Sequence, residues 1–265
     1  MQRIVRGLVR ASAVAACLVA SAIATSARAQ PRPLRVLFIG NSYTYFNNLA
    51  TSIADMAAAR HESRTLTSTV VLVGGSTLEA HLGRADALRE LSRGGWDYVV
   101  LQEQSTRPIT DPPALWRDAR AFADAATKAG ARVVLYETWA REATPQLQDS
   151  LTRMYHRAAE AAGAKVAHVG EAWAAFRATE QVAAPAHSAL FIADGSHPTT
   201  AGTYLAACVF YATLYGKSPE GLPNMVRSTM QQPPVGPAPT DTPRDSVTVP
   251  MAATLQRLAW RAVSR

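Results

Sequence analysis

Short apolar runs alternate with longer amphipathic segments along most of the chain. Five of the runs are rich in valine and are predicted to be strands: Arg35–Ile39, Ser68–Val73, Tyr98–Gln102, Arg132–Glu137 and Lys165–Val169. Their almost continuous apolar character is typical of parallel strands that are buried on both faces. Because parallel neighbours need long crossover connections, we expect helices between them.

The intervening segments have the spacing of helices. Apolar side chains recur on one face, and two of the segments open with proline, which suits the first turn of a helix. The predicted helices are Leu49–Arg60, Thr77–Ser92, Pro113–Ala129, Pro145–Ala162 and Thr200–Tyr215, with a long loop before the last of them. This alternation predicts a three-layer α/β/α sandwich around a flavodoxin-like, five-stranded parallel sheet of order 2-1-3-4-5.

The first residues have the pattern of a secretory signal peptide. Met1–Arg10 is basic, Ala11–Ala24 is apolar, and Ala27-Arg28-Ala29 is a small-residue cleavage signal. The apolar run is too short to anchor the chain across a bilayer. We therefore expect residues 1–29 to be removed and the protein to be exported to the periplasm or beyond. The alternative is a lipoprotein whose lipidated residue is Cys17.

The remainder is expected to form one domain, residues 30–218, followed by two further segments. Residues 219–250 are rich in proline, threonine and glutamine and predict a surface excursion or linker. Residues 251–265 regain helical spacing and are expected to dock back on the domain. Cys208 alone would remain after cleavage, so no intrachain disulfide is expected.

Charge gives no sign of a nucleic-acid partner. The net charge is +7, but the leader contributes four arginines and no acid, which leaves +3 for the mature chain. No basic stripe with interleaved aromatic residues is present. A mildly basic surface is the simpler interpretation.

Polar residues and glycines follow each predicted strand, where the chemistry of open α/β sheets gathers. The segments are Gly40-Asn41-Ser42, Gly74-Gly75-Ser76, Gln102-Glu103-Gln104-Ser105, Glu137-Thr138-Trp139 and, beyond the fifth strand, Asp194-Gly195-Ser196-His197. If the sheet is parallel, these segments converge at one edge.

Ser42, His197 and Asp194 can together form a nucleophilic centre. A serine hydroxyl needs a base to take its proton, imidazole suits that role near neutral pH, and a carboxylate fixes the imidazole tautomer. Asp194 precedes His197 by three residues on one short loop, so it can reach the ring. The structural alternatives are a helix cap at Ser42 and an Asp-Gly turn at Asp194.

These segments resemble the blocks of the SGNH (GDSL-like) hydrolase superfamily. Gly40-Asn41-Ser42 is similar to its first block, and Asp194-x-x-His197 is similar to its last. The resemblance covers nearly the whole mature chain. It implies that Ser42 is the nucleophile, His197 the base and Asp194 its acid partner, with no metal or organic cofactor.

The middle blocks are less similar. The resemblance implies an oxyanion hole formed by the N–H groups of Ser42 and of Gly74 or Gly75, with a side-chain amide from the third block. That block has glutamine in place of the usual asparagine, and Gln104 is preferred over Gln102. The first block has asparagine in place of aspartate.

The resemblance and the predicted leader together favour a secreted serine esterase, acting on small acyl esters of carbohydrate. Asn41 and Trp139 are the candidate substrate contacts. A lipid ester or thioester hydrolase is the alternative enzyme, and a non-catalytic carbohydrate-binding module is the alternative from another class. An unrelated flavodoxin-like protein would leave Ser42 far from His197. The expected partner is a small-molecule or carbohydrate ester, with no nucleic acid and no stable membrane span; the sequence predicts no oligomeric state.

Overall fold

A mostly parallel sheet forms the centre of the computed structural model, which describes residues 31–180 and 187–265. The strands of the described residues are β1 (Leu34–Gly40), β2 (Leu66–Leu72), β3 (Tyr98–Leu101), β4 (Arg132–Tyr136), β5 (Lys165–Ala167), β6 (Met225–Arg227), β7 (Gly236–Pro237) and β8 (Arg244–Ser246). Strands β1 to β5 are parallel and follow the order β2-β1-β3-β4-β5, which confirms the predicted flavodoxin-like topology. The predicted leader, including Cys17, lies outside the described residues.

Helices cover both faces of the sheet. They are α1 (Ser42–Tyr45), α2 (Leu49–Ala59), α3 (Leu78–Leu82), α4 (Ala85–Ser92), α5 (Arg107–Thr110), α6 (Pro112–Lys128), α7 (Gln148–Ala162), α8 (Val169–Glu180), α9 (Thr200–Tyr215) and α10 (Val249–Val263). Successive strand residues point to opposite faces. Accordingly, Val36 and Phe38 join a core with α2, α8, α9 and α10, whereas Leu37 and Ile39 join a core with α4, α6 and α7. The three-layer prediction is therefore confirmed.

Two helix predictions were wrong. The predicted helix Thr77–Ser92 is broken, because α3 ends at Leu82 with Gly83 as its C-cap and Arg84 takes an extended conformation before α4. The long loop expected after the fifth strand contains helix α8. Small residues let α8 approach its neighbours closely: a side chain at Gly170 would lie 2.3 Å from the carbonyl oxygen of Thr138. Its weak amphipathic pattern explains why spacing alone did not reveal it.

The proline-rich segment lies against the domain, covering the edge of β2. Its strand β7 pairs antiparallel with β2, and β6 pairs antiparallel with β8. Arg227 forms an ion pair with Asp55 of α2, with Nε 2.7 Å from Oδ2. The hydroxyl of Thr51 donates to the carbonyl of Pro239 at 2.7 Å. The sixth strand of the central sheet, β7, was not predicted from the sequence.

The C-terminal helix α10 packs on α8 and α9 through its buried residues Leu255 and Ala259. Gln256 fixes its position, because the side-chain amide donates to the hydroxyl of Tyr204 at 2.6 Å and to the carbonyl of Leu222 at 2.8 Å. Within the described ranges, no helix has both the length and the apolar character needed to cross a membrane.

Candidate active site

Ser42 lies at the end of β1, in a turn that requires glycine beside it. A side chain at Gly40 would meet the Oε1 atom of Gln102 at 2.8 Å and its Cβ atom at 2.9 Å. Asn41 is extended and its side chain accepts the N–H of Tyr43, so it caps α1. Ser42 is the first residue of this helix, and within the described residues its N–H has no protein acceptor. Both the hydroxyl and the N–H of Ser42 are therefore available at the helix start.

Gln102 holds this turn and does not face the pocket. Its Oε1 atom accepts the N–H of Asn41 at 3.0 Å, and its Nε2 atom donates to Oδ1 of Asn41 at 2.8 Å. The remaining N–H of the amide donates to the carbonyl of Glu103 at 2.7 Å. Gln102 is fully buried, so its prediction as an oxyanion donor was wrong: both polar atoms already hold the backbone that carries Ser42.

Asn41 is likewise a supporting residue, and because it also lines the cavity its role as a substrate contact stays a prediction. Its Oδ1 atom accepts from Tyr43 and Gln102, and its Nδ2 atom donates to the carbonyl of Ser76 at 2.9 Å. The last bond ties the turn after β1 to the turn after β2. Asn41 therefore joins three parts of the site through contacts within the protein.

Asp194, His197 and Ser42 form a continuous hydrogen-bonded chain. The Nε2 atom of His197 lies 2.8 Å from Oγ of Ser42, and its Nδ1 atom lies 2.5 Å from Oδ2 of Asp194. The other oxygen of Asp194 accepts the N–H groups of Ser196 and His197, each at 2.9 Å. Burial opposes ionisation of Asp194, but the hydrogen bonds from His197 and Ser196 outweigh it and hold its pKa below the ordinary value.

Aromatic side chains orient the imidazole of His197. The ring of Phe46 stacks on it with centroids 4.3 Å apart and planes at 17°, and Tyr43 meets it edge-on at 5.6 Å. The hydroxyl of Tyr43 also bonds to Oγ of Ser196 at 2.7 Å. These contacts restrict the ring to the orientation in which Nε2 faces Ser42.

Trp139 is buried against the loop that carries His197. This corrects its prediction as a sugar-stacking residue. It is 1% exposed and lies between Tyr43 and Trp173, with ring centroids 4.4 and 3.8 Å away. Its indole N–H donates to the carbonyl of Ser196 at 3.0 Å. Both faces of the ring are occupied, so no sugar can stack on it.

The two glycines after β2 differ in what their N–H groups contact. The N–H of Gly74 donates to Oε1 of Gln232, in the proline-rich segment, at 2.9 Å. Gly75 has a φ of +68°, which favours glycine, and its N–H has no protein acceptor within residues 31–180 and 187–265. Of these two glycines, Gly75 is therefore the one whose N–H is unoccupied among the described residues.

Gln104 faces the pocket with its amide oriented by α5. Its Oε1 atom accepts the N–H groups of Thr106 and Arg107 at 2.9 and 3.1 Å, which leaves the NH₂ group on the other side. The backbone N–H of Gln104 donates to Glu103, whose buried carboxyl also accepts from Leu78 at 3.2 Å. Burial raises the pKa of Glu103 to about 7.

These residues surround an open cavity of about 370 Å³. It is lined by Asn41, Ser42, Tyr43, Tyr45, Phe46, Gly74, Gly75, Gln104, Ser105, Arg141, Ser196 and His197. Four residues at or beside the site were not predicted from the sequence: Tyr43, Phe46, Arg141 and Gln232. Tyr43 and Phe46 follow Ser42 directly, so their position was a usable signal, whereas the approach of Gln232 to Gly74 depends on long-range folding.

A separate cluster has the donor atoms of a metal site. Within the part of the chain that the structure describes, one ligand atom each from Glu137, His156, His168 and Glu171 lie within 4.8 Å of one another. Two imidazoles and two carboxylates form a donor set that suits Zn²⁺. The negative charges of the two glutamates already have partners within the protein, because His168 contacts both of them and Arg265 pairs with Glu171 at 2.6 Å.

Solved structures with the same fold include hydrolases. A candidate SGNH hydrolase from Slackia heliotrinireducens shares 31% identity, with 69% of this chain and 99% of its own covered and a TM-score of 0.57. A DUF4886 family protein from Bacteroides uniformis covers 88% of this chain and 95% of its own at 17% identity, with a TM-score of 0.69. An acetyl xylan esterase covers 68% and 98% at 15% identity, with a TM-score of 0.56. No family profile matches the chain, and no curated protein matches its sequence.

The sheet order and the position of the cavity define a three-layer α/β protein with a polar site at the carboxyl ends of its strands. The identity to the Slackia protein extends over almost all of that protein. The chain belongs to the SGNH hydrolase family, which confirms the resemblance found in the sequence.

Proposed function

We propose that the protein hydrolyses carboxylic esters through an acyl-enzyme on Ser42. The observation that carries this proposal is the unbroken chain from Asp194 through His197 to Ser42, with heavy-atom distances of 2.5 and 2.8 Å. Such a chain gives a serine hydroxyl the base it needs and gives the base its orienting carboxylate. This series of hydrogen bonds ends in an open cavity rather than in the core.

In the first step, Oγ of Ser42 attacks the ester carbonyl while Nε2 of His197 takes the hydroxyl proton. The negative oxygen of the tetrahedral intermediate is met by the N–H groups of Ser42 and Gly75 and by the amide of Gln104. The C–O bond then breaks, and His197 returns the proton to the departing alcohol. Asp194 stabilises the imidazolium throughout.

In the second step, water attacks the acyl group on Ser42 with His197 again as the base. The acid product leaves, and the hydroxyl of Ser42 regains its proton. Each oxyanion donor contributes about 3 kcal/mol to lowering such a barrier. The chemistry requires no metal and no organic cofactor.

The proposed substrate is a small acyl ester on a carbohydrate. The cavity is wide, its lining includes the polar side chains of Gln104, Ser105 and Arg141, and the exposed parts of Tyr45 and Phe46 offer aromatic surface for a sugar ring. A structural neighbour is an acetyl xylan esterase. The leader-like residues 1–29 support export to a compartment where polysaccharides occur.

A second candidate, a lipid ester or thioester hydrolase, is favoured by a neighbouring cavity. This cavity of about 240 Å³ shares Tyr45 with the first and is lined in part by Val70, Leu72, Pro233 and Pro234. Its apolar wall could receive an acyl chain. A series of 4-nitrophenyl esters distinguishes the two: falling kcat/KM from acetyl to octanoyl supports the short-acyl proposal, and rising kcat/KM supports the second.

The central test is Ser42→Ala with 4-nitrophenyl acetate. We expect turnover to fall by at least about 10³-fold because the nucleophile is lost, while the melting temperature is retained. A serine-reactive fluorophosphonate should label the wild-type chain at Ser42 and leave the variant unlabelled. Undiminished turnover in the variant contradicts the proposal, and an unlabelled, inactive wild type favours a non-catalytic carbohydrate-binding module.

A further inference from the structure

One wall of the catalytic cavity carries a guanidinium without a carboxylate partner. Arg141, in the loop after β4, lines the cavity and donates from Nη2 to Oγ of Ser105 at 3.1 Å. Across residues 31–180 and 187–265, no carboxylate oxygen lies within ion-pair distance of it. Among the residues that the structure describes, neither aspartate nor glutamate lines the cavity. This described lining therefore carries the positive charge of Arg141 with no carboxylate to compensate it.

Two acidic residues on the adjoining loops, Glu142 and Asp194, are engaged elsewhere. Glu142 follows Arg141 directly, but its Oε1 atom accepts the N–H of Ser188 at 2.6 Å and its Oε2 atom lies 3.3 Å from Nδ1 of His187. Asp194 is held by His197 and by two backbone N–H groups. A small rotation of either side chain would therefore break existing bonds before it could neutralise Arg141.

The position of Arg141 is fixed on both sides. The N–H of Glu142 donates to the carbonyl of Gly195 at 2.8 Å, which ties this loop to the loop that carries His197. The N–H of Ala140 donates to Oε1 of Gln148 at 2.7 Å. The guanidinium is thus placed in the same cavity as Ser42 by the backbone and not only by its own flexible stem.

A guanidinium in this setting recognises anions. It presents paired N–H donors that match the two oxygens of a carboxylate, and it keeps its charge at all physiological pH values. The hydroxyl of Ser105 already holds one side of it, which leaves donors toward the open cavity. A neutral substrate would leave these donors to water alone.

We propose that the preferred ester carries an anionic group, of the carboxylate type, which Arg141 binds while Ser42 attacks the ester carbonyl. This inference rests on the proposed esterase function and narrows its substrate class. The anion can belong to the acyl part or to the alcohol part, as in an acylated acidic sugar.

The test uses matched pairs of esters in which a carboxylate is replaced by a carboxamide. For the alcohol part the pair is 4-acetoxybenzoate and 4-acetoxybenzamide, and for the acyl part it is the 4-nitrophenyl monoesters of adipic acid and adipamic acid. In the pair that places its anion correctly, we expect the wild type to favour the carboxylate by at least about tenfold in kcat/KM. The preference should shrink between about 0.02 and about 0.5 M NaCl because salt screens the attraction.

Charge variants of Arg141 connect this preference to the residue. Arg141→Gln should lower the carboxylate-to-carboxamide ratio to about one, Arg141→Lys should retain part of it, and Arg141→Glu should invert it. Arg153→Gln is the matched control, because Arg153 is an exposed arginine on α7 that bonds to Ser150 at 2.8 Å and does not line the cavity. Its ratio should equal that of the wild type.

The outcomes separate this inference from the function on which it depends. A wild type that hydrolyses the carboxamide esters but shows no carboxylate preference in either pair overturns the role of Arg141. A preference that survives Arg141→Gln also overturns it. Failure to hydrolyse any of the four esters overturns the esterase proposal itself.

Discussion

Four histidines among the described residues contact carboxylates, and two of them, His197 and His168, differ in what surrounds the ring. His197 contacts one carboxylate, Asp194, through Nδ1, and its Nε2 atom faces the hydroxyl of Ser42. His168 presents Nδ1 to two carboxylates at once, with Glu137 at 3.2 Å and Glu171 at 3.1 Å. The first ring borders an open cavity, and the second is packed between α7 and α8.

The second carboxylate changes the chemistry of the ring. Burial lowers the tendency of His168 to carry charge, but the two glutamates outweigh burial and raise its pKa to about 9. His168 is therefore an imidazolium at neutral pH and cannot accept a proton from a substrate or a nucleophile. A histidine beside a carboxylate is thus a catalytic candidate only when its other nitrogen faces a group that can give up a proton.

The largest effect is expected from Asp194→Asn, which tests whether the contact between Asp194 and His197 differs in function from the contacts of His168. The amide retains the shape of the side chain but no longer fixes the imidazole tautomer or stabilises the imidazolium. We expect kcat for 4-nitrophenyl acetate to fall by about 10³- to 10⁴-fold. Glu171→Gln at the other pair is the matched control, and its kcat per folded molecule should stay within about threefold of wild type. Equal losses of kcat in both variants would contradict a specific role of Asp194.

The proposed triad could be predicted from the sequence because each of its parts lies in a short local motif. Asp194 and His197 lie on one short loop, and Ser42 follows Gly40-Asn41 at a strand end, so the convergence of strand ends in a parallel sheet was sufficient to bring them together. The pattern of buried runs predicted the parallel sheet, whereas the order of its five strands was expected only from the usual flavodoxin-like arrangement. Helix α8 was missed because its alanines lie on buried and exposed positions alike, which weakens the separation of apolar and polar residues that gives an amphipathic signal.

The roles of the residues around the proposed triad could not be predicted from the sequence, because these roles depend on contacts between distant segments. Gln102 and Gln104 are two residues apart and share a chemical type, yet one is consumed by Asn41 and the other faces the cavity. Trp139 ends a strand in the position of a ligand contact, but two rings cover its faces. Sequence identifies such residue types, and only packing determines which atoms remain free.

The proposed mechanism also needs a donor for the negative charge on the oxygen of the tetrahedral intermediate. Gln104→Ala removes the side-chain amide proposed for the oxyanion hole, and we expect kcat to fall by about 10²-fold with little change in KM. The melting temperature should drop only slightly, because Gln104 is partly exposed and bonds locally to Thr106 and Arg107. A loss confined to stability, with kcat retained in the folded fraction, would assign Gln104 to loop structure.

The role of His168 can be tested through the free energy of unfolding and its dependence on pH. The folded pKa of His168, about 9, lies above its ordinary value of 6.5, so its stabilising contribution is complete below about pH 6.5 and disappears as pH rises through 9. His168→Gln should lower the free energy of unfolding by about 2 kcal/mol at pH 6 and by much less near pH 10. Urea unfolding at several pH values measures this difference. A destabilisation that does not change with pH would show that packing, not charge, holds His168.

The smallest expected effect concerns Gly74 and Gly75, the two candidate glycines of the proposed oxyanion hole. Gln232 occupies the N–H of Gly74 at 2.9 Å, whereas the N–H of Gly75 is unoccupied within the described residues. If Gly75 is the working donor, Gln232→Ala should change kcat by less than about threefold, because the oxyanion hole already exists without Gly74. If Gly74 is the donor, the same variant frees its N–H and kcat should rise well beyond that range. Gln231→Ala, the neighbouring glutamine, controls for general loosening of the proline-rich segment, so a rise specific to position 232 would transfer the oxyanion role from Gly75 to Gly74.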